Sequence, residues 1–101
     1  MDSEHGKIDG DVDITSELKM HGMFTGNVTV KDGGFLILHG MATKTLFVEQ
    51  GAVVEIPGMV TGDVVNKGGK LTISGTVSGQ VVEQAGQTSI SGNASIGRAS
   101  A

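Results

Sequence analysis

Apolar residues recur along this chain two apart, and the groups they form return at a nearly fixed interval. A glycine preceded by His, Pro or Ser marks each return: Gly6, Gly22, Gly40, Gly58, Gly75 and Gly92, spaced by 16, 18, 18, 17 and 17 residues. Two positions after these glycines stand Ile8, Phe24, Ala42, Val60, Val77 and Ala94, and six after stand Val12, Val28, Leu46, Val64 and Val81. Two before the later glycines come Met20, Leu38, Ile56, Ile73 and Ile90, and four before come Leu18, Leu36, Val54, Leu71 and Thr88. Thr, Asp, Asn, Lys and Ser fill the places between. That is the period-two alternation of short strands with one buried face.

Further glycines fall four after the first set, at Gly10, Gly26, Gly62 and Gly79, where a turn leaves little room for a Cβ; Lys44 takes this place in the third copy. Short alternating strands, cornered by glycine and repeated every 16–18 residues, predict stacked coils. The expected fold is all-β: a single-domain parallel β-helix (solenoid) of about five to six coils over residues 6–97, with short tails at 1–5 and 98–101. A β-sandwich also has closely spaced short strands, but it does not require columns that match over five intervals. The intervals shorten at one corner, where "GGFL" and "GAVV" give way to "GKL" and "GQT".

One column breaks the pattern. Eight after the marking glycine come Ile14, Val30 and Val48, then Asn66 and Glu83. Either the later coils rotate so that Val65 and Val82 pack inward, or the core narrows on that side.

Composition narrows the function classes. The 101 residues include 17 Gly, three aromatic residues and no Cys, so disulfides and thiolate metal sites are excluded. No apolar run approaches the roughly 20 residues of a membrane-spanning helix, and the acidic start "MDSEHGKIDGD" does not read as a secretory signal. The expectation is a cytoplasmic protein without direct membrane insertion. The net charge is −4 and the Lys and Arg residues are scattered, which argues against a nucleic-acid partner.

Several outward columns carry candidate chemistry. His5, His21 and His39 each precede a marking glycine, and in a β-helix they would form a ladder with rungs about 4.8 Å apart. Such a ladder could hold a divalent metal between imidazoles or sense pH, but no carboxylate column completes a ligand set. No metal and no cofactor are therefore expected, and the histidines read as polar residues at strand ends. Met23, Met41 and Met59, with Phe47, Val65 and Val82, should point outward and could form an apolar lateral or partner patch across one corner. Thr25, Thr43, Thr61 and Ser78 form another column, flanked by the mixed Asp11, Asn27, Thr45, Asp63 and Gln80. This column reads as ordinary strand residues, not as a flat ice-binding array.

No nucleophile elbow, phosphate-binding loop or HExxH motif is present, so the chain does not read as an enzyme. Hexapeptide acyltransferases also have 18-residue coils, but they place one apolar residue about every six, whereas here two fall on each of at least two sides.

The phrases "GMVTGDVV", "GTVSGQVV" and "GNVTV", set in coils of this length, resemble the bactofilins, polymer-forming cytoskeletal proteins of bacteria. The resemblance covers roughly Gly6 to Gly97. It implies a right-handed, three-sided β-helix whose subunits join end to end into filaments without nucleotide. The chain's own physics points the same way, because β-helix ends expose unpaired backbone groups and monomeric solenoids cover them with caps. The residues expected at such ends are Ile8, Val12, Ile14, Leu18 and Met20 on one side, and Ala94 and Ile96 on the other. The expected partner is thus a second copy of the chain. The alternative is a small acidic immunity or inhibitor protein that docks a toxin or enzyme through one β-helix face, using Glu17, Asp32, Glu49, Asp63 and Glu83.

Overall fold

The computed structural model describes residues 2–91 and 95–100, with side chains described over 5–91. The described residues form one all-β solenoid in which every strand pair is parallel and no helix occurs. Three faces follow from the pairing. The first stacks β2 (Lys7–Ile8), β5 (Met23–Phe24), β8 (Met41–Ala42), β11 (Met59–Val60) and the start of β13 (Thr76–Ile90). The second stacks β3 (Val12–Ile14), β6 (Val28–Val30), β9 (Leu46–Val48), the start of β12 (Val64–Ile73) and the middle of β13. The third stacks β1 (Asp2–Glu4), β4 (Glu17–Met20), β7 (Phe35–Leu38), β10 (Val53–Ile56), the end of β12 and the end of β13. Finally, β14 (Ser95–Ser100) lies on β13 along the first two faces.

The stack therefore reaches beyond both expected boundaries. Strand β1 lies within residues read as an N-terminal tail, pairing Asp2–Glu4 with Leu18–Met20, and β14 runs past position 97. Parallel pairing explains both: each added strand satisfies a row of backbone donors and acceptors that would otherwise stay open.

The apolar columns read from the sequence are the registers of the sheet, except in the last coil, where Ile96 stands opposite Val77 in the place expected of Ala94 because the last interval is longer than the sequence spacing implies. Val12, Val28, Leu46, Val64 and Val81 pair in succession, as do Phe24, Ala42, Val60 and Val77. On the third face Leu18, Leu36, Val54, Leu71 and Thr88 follow one another. These side chains fill a narrow core, buried from Ile14 to Val81, with Ile8, Val12 and Leu18 half-buried against it. The large ring of Phe24 lies below the small Ala42, so the bulk of one coil is offset by its neighbour in the same column.

The irregular column keeps its register. Asn66 pairs with Val48 below and Glu83 above, and it is completely buried. Val64 and Val81 stay inward while Val65 and Val82 remain half-buried on the outer side, so the coils do not rotate. The cause lies in the shortened corner. In the two preceding coils this corner is closed by a backbone turn, Gly34 N–H to Lys31 carbonyl (2.8 Å) and Ala52 N–H to Glu49 carbonyl (3.1 Å). In the coil of Asn66 one residue is missing, and the Asn66 side chain replaces that carbonyl. Its Oδ1 accepts from the N–H groups of Gly68 (3.1 Å) and Gly69 (2.9 Å). Its Nδ2 donates to the carbonyls of Gly69 (3.2 Å) and Gln87 (3.1 Å) and to Thr88 Oγ1 (3.0 Å). Thr88, the polar member of its own apolar column, is the partner the buried amide needs. Every buried polar atom of the Asn66 amide is thus engaged.

A second polar device clamps the corner between the first and second faces. Asp11 Oδ1 accepts from the N–H of Asn27 (2.9 Å), Asn27 Oδ1 from Thr45 N–H (3.2 Å), and Asp63 Oδ1 from Gln80 N–H (2.8 Å). Each carboxylate or amide satisfies the donor at its own position one coil on. Thr43 Oγ1 donates to the Phe24 carbonyl (3.1 Å) and Thr61 Oγ1 to that of Thr43 (3.2 Å), so the threonine column also bonds coil to coil.

Candidate functional site

The repeated His-Gly-Met phrase builds a trough along the first face. Its floor is the column Gly6, Gly22, Gly40, Gly58 and Gly75. Glycine is required there by close approach: a Cβ at Gly22, Gly40, Gly58 or Gly75 would collide with the backbone carbonyl of the glycine one coil below. The floor is held by bonds such as Met41 N–H to the Gly22 carbonyl (3.0 Å) and Met59 N–H to that of Gly40 (2.9 Å).

One wall is the histidine ladder. The rings of His5 and His21 stack with centroids 4.7 Å apart and planes 9° from parallel; those of His21 and His39 stack at 4.8 Å and 3°. The central imidazole, His21, is held below its ordinary value, first by desolvation within the stack and then by the charges of His5, His39 and Lys19. It therefore stays neutral to lower pH than a free histidine. The opposite wall is the in-register column Lys7, Met23, Met41, Met59 and Thr76. The trough has a volume of about 680 Å³, and among the described residues no Asp or Glu lines it.

The ladder does not chelate a metal by itself. Two metal–nitrogen bonds of about 2.1 Å span at most about 4.2 Å, which is less than the 4.7 and 4.8 Å between rings. Parallel rings also aim their in-plane lone pairs in parallel, not at a shared point. Among the described residues no group of three or more His, Cys, Asp or Glu could hold a metal ion.

The other expected site residues are distributed differently. Met23, Met41 and Met59 join the histidines across the glycine floor. Phe47, Val65 and Val82 follow Thr29 on the outer side of the second face, beyond the corner clamped by Thr43, Thr45, Thr61 and Asp63. All three are half-buried, and Lys67 covers the Phe47 ring with its Nζ 4.8 Å from the centroid. Of the residues expected at the stack ends, Ile14 and Met20 are buried within the core, whereas Ile8, Val12 and Leu18 are half-buried at its margin. Ala94 lies outside the described residues, as does the side chain of Ile96, whose backbone pairs with Val77. Ile90, the last inward residue of its column, is 43% exposed.

The acidic residues of the alternative docking surface are spread over several coils, with Asp32 at the corner between the second and third faces, its carboxylate beside Gly51 of the next coil. Glu17 begins a third-face strand, and Glu49 lies 3.9 Å from Lys67 beside another corner. Asp63 is engaged in the first corner clamp, and Glu83 belongs to the second face.

Sequence reading treated the histidine and methionine columns as separate features. The spacing that joins them was present: His and Met two apart lie on one side of an extended strand, with glycine between. Comparison of the chain with models of protein families, with characterised proteins and with solved structures finds no match.

Proposed function

We propose that this chain is a bactofilin-like structural protein that assembles end to end, by coil stacking and without nucleotide. The observation that carries the reading is the state of the terminal strands. Among the described residues, β1, β2 and β3 pair on one side only, and so do β14 and the last residues of β13. Such strands present rows of unpaired donors and acceptors in the parallel geometry that another coil would match. Ile8, Val12 and Leu18 border one end and Ile90 borders the other, so apolar area is available at both. A second copy stacked on either end would continue the ladder that already holds each coil to the next.

No helix among the described residues is long and apolar enough to cross a membrane. The proposal places the protein in a scaffold whose interactions are with itself.

Sedimentation velocity over a concentration series, with negative-stain microscopy of the same samples, tests the reading. Species that grow with concentration into filaments support it, and a monomer that persists across the series sinks it. Val12→Lys, on the terminal strand β3, should reduce assembly while circular dichroism retains the β signal. Unchanged assembly in a folded Val12→Lys protein would remove β3 from the contact.

A further inference from the structure

We propose that the trough is a binding site for a soft monovalent cation, Cu(I) or Ag(I), held between an imidazole nitrogen of His21 or His39 and the thioethers of Met23, Met41 and Met59. The inference is independent of end-to-end assembly, since it concerns the first face and not the ends.

Three observations lead to it. First, the donors are paired coil by coil: His21 with Met23, and His39 with Met41, each across one glycine of the floor. The floor holds the two walls at a constant separation because its glycines cannot be pushed apart or filled. Second, the walls differ in stiffness. The imidazoles are fixed by mutual stacking, while each thioether sits on a side chain with three rotatable bonds and can swing to meet an ion placed on a ring nitrogen. Met23 and Met41 are half-buried, Met59 is 37% exposed, and all three line the open trough. A ladder that cannot chelate through two rings can therefore bind through one ring and one or two sulfurs.

Third, the donor set selects the ion. Thioethers are soft, weak ligands that favour Cu(I) over harder ions, and imidazole accepts both. Among the described residues no carboxylate lines the trough to neutralise a divalent charge. A single positive charge on neutral nitrogen and sulfur donors loses less solvation than a divalent one would. Lys7 occupies the methionine position in the first coil and Pro57 the histidine position in the fourth, which confines complete His–Met pairs to the two central coils.

The test uses Ag(I) as the probe, in chloride-free buffer at a pH where the imidazoles are neutral, with Zn(II) as the hard comparison. The methionine methyl resonances of the full chain are followed by NMR, and affinity is measured by calorimetry. Ag(I) should shift the methyls of Met23, Met41 and Met59 together with the ring signals of His21 and His39, and leave that of the fully buried Met20 in place. Zn(II) should leave the three methionine methyls unmoved. Met23→Leu/Met41→Leu/Met59→Leu keeps apolar volume and removes the sulfurs. Outer-shell changes alone cost about 10- to 100-fold in metal affinity, so losing ligands should weaken Ag(I) binding by at least about tenfold. Methyl resonances that stay fixed at saturating Ag(I) would overturn the proposal. So would undiminished Ag(I) affinity in a triple variant that melts as the parent does. Should the triple variant fail to fold, the methyl shifts of the parent chain decide alone.

Discussion

Replacing Asn66 by Val restores the apolar column that Ile14, Val30 and Val48 begin, and a reading based on hydrophobic pattern alone expects the protein to gain stability. The structure predicts a loss. Val has no acceptor for the N–H groups of Gly68 and Gly69, and Gly69 is buried. It also leaves the Gly69 and Gln87 carbonyls and Thr88 Oγ1 without the amide that serves them. A buried donor or acceptor left unsatisfied costs about 1–3 kcal/mol. Gly68 is only half-buried and water can reach it in part, so one to two full penalties are the fair count. Burial of the added apolar carbons offsets roughly 1 kcal/mol. The net expectation is a loss of about 2–4 kcal/mol, dominated by the Gly69 donor. At about 4–8 °C per kcal/mol for a domain near this size, the melting midpoint should fall by roughly 8–32 °C. Urea unfolding followed by circular dichroism measures the same quantity through the transition midpoint at constant slope. Asn66→Asp is the sharper companion. It keeps both accepting contacts, and the Thr88 hydroxyl can turn to donate to it, but it sets a carboxylate against the carbonyls of Gly69 and Gln87 at neutral pH, so it should be worse than Val there. Burial and the facing carbonyls raise this carboxyl above its ordinary value, so protonation should recover part of the loss as pH falls towards about 4. If Asn66→Val is as stable as the parent, the side chain is not closing the shortened corner and the account of the register is wrong.

Other consequences are checked in the same way. Gly40→Ala should destabilise by about 1–3 kcal/mol or more in urea unfolding, because the new methyl meets the Gly22 carbonyl and the coils must part to admit it; a neutral result would mean that the trough floor is not close-packed. Asp63→Ala removes the acceptor for Gln80 N–H and should cost about 1 kcal/mol by the same measure, with less effect from Asp63→Asn, which keeps an acceptor at that place. Folding stability should also fall as pH drops through the histidine range. Because His21 is held below its ordinary 6.5 in the folded stack, the unfolded chain takes up more protons there. The stabilisation is thus complete above about pH 6.5 and is lost below it, until the folded imidazole is protonated too. His21→Gln should flatten that slope in a series of melting curves, and an unchanged slope would show that the stack does not set it.

Most of the fold was legible because a β-helix repeats one decision. Every inward column from Val12 to Val81 and from Phe24 to Val77 was visible as alternation, and pairing with identical neighbours above and below leaves no freedom to misplace it. What escaped were the polar exceptions. Asn66 looked like a fault in a column because its partners, Gly69 and Gln87, are fixed by a corner one residue shorter than its predecessors. The Thr and Asx columns looked bland because their bonds run to the coil above or below, 15 or more residues away in sequence. The strands at 2–4 and 95–100 lacked the apolar pairs that announced the others, and only pairing reveals them. For the candidate site, each column was visible alone. Their meeting across a glycine floor was not, because the close approach that demands glycine is a contact between coils.

That contact separates residues the fold uses from residues it leaves free. The anchoring glycines are dictated by stacking, the Asx and Thr columns by corner bonds, and Phe47 carries Lys67 over its face. The histidines touch one another by stacking, and the methionines meet their counterparts in register. Neither column supplies a core residue, and the fold accepts Pro57 and Ser74 in the histidine position of the later coils. The two columns therefore carry chemistry the solenoid does not need for its own stability. The terminal strands are different, because among the described residues they pair on one side only, whatever side chains fill the faces. The proposed assembly and the proposed ion site thus draw on separable parts of one molecule: the first on the backbone of the terminal strands, the second on the side chains of His21, His39, Met23, Met41 and Met59.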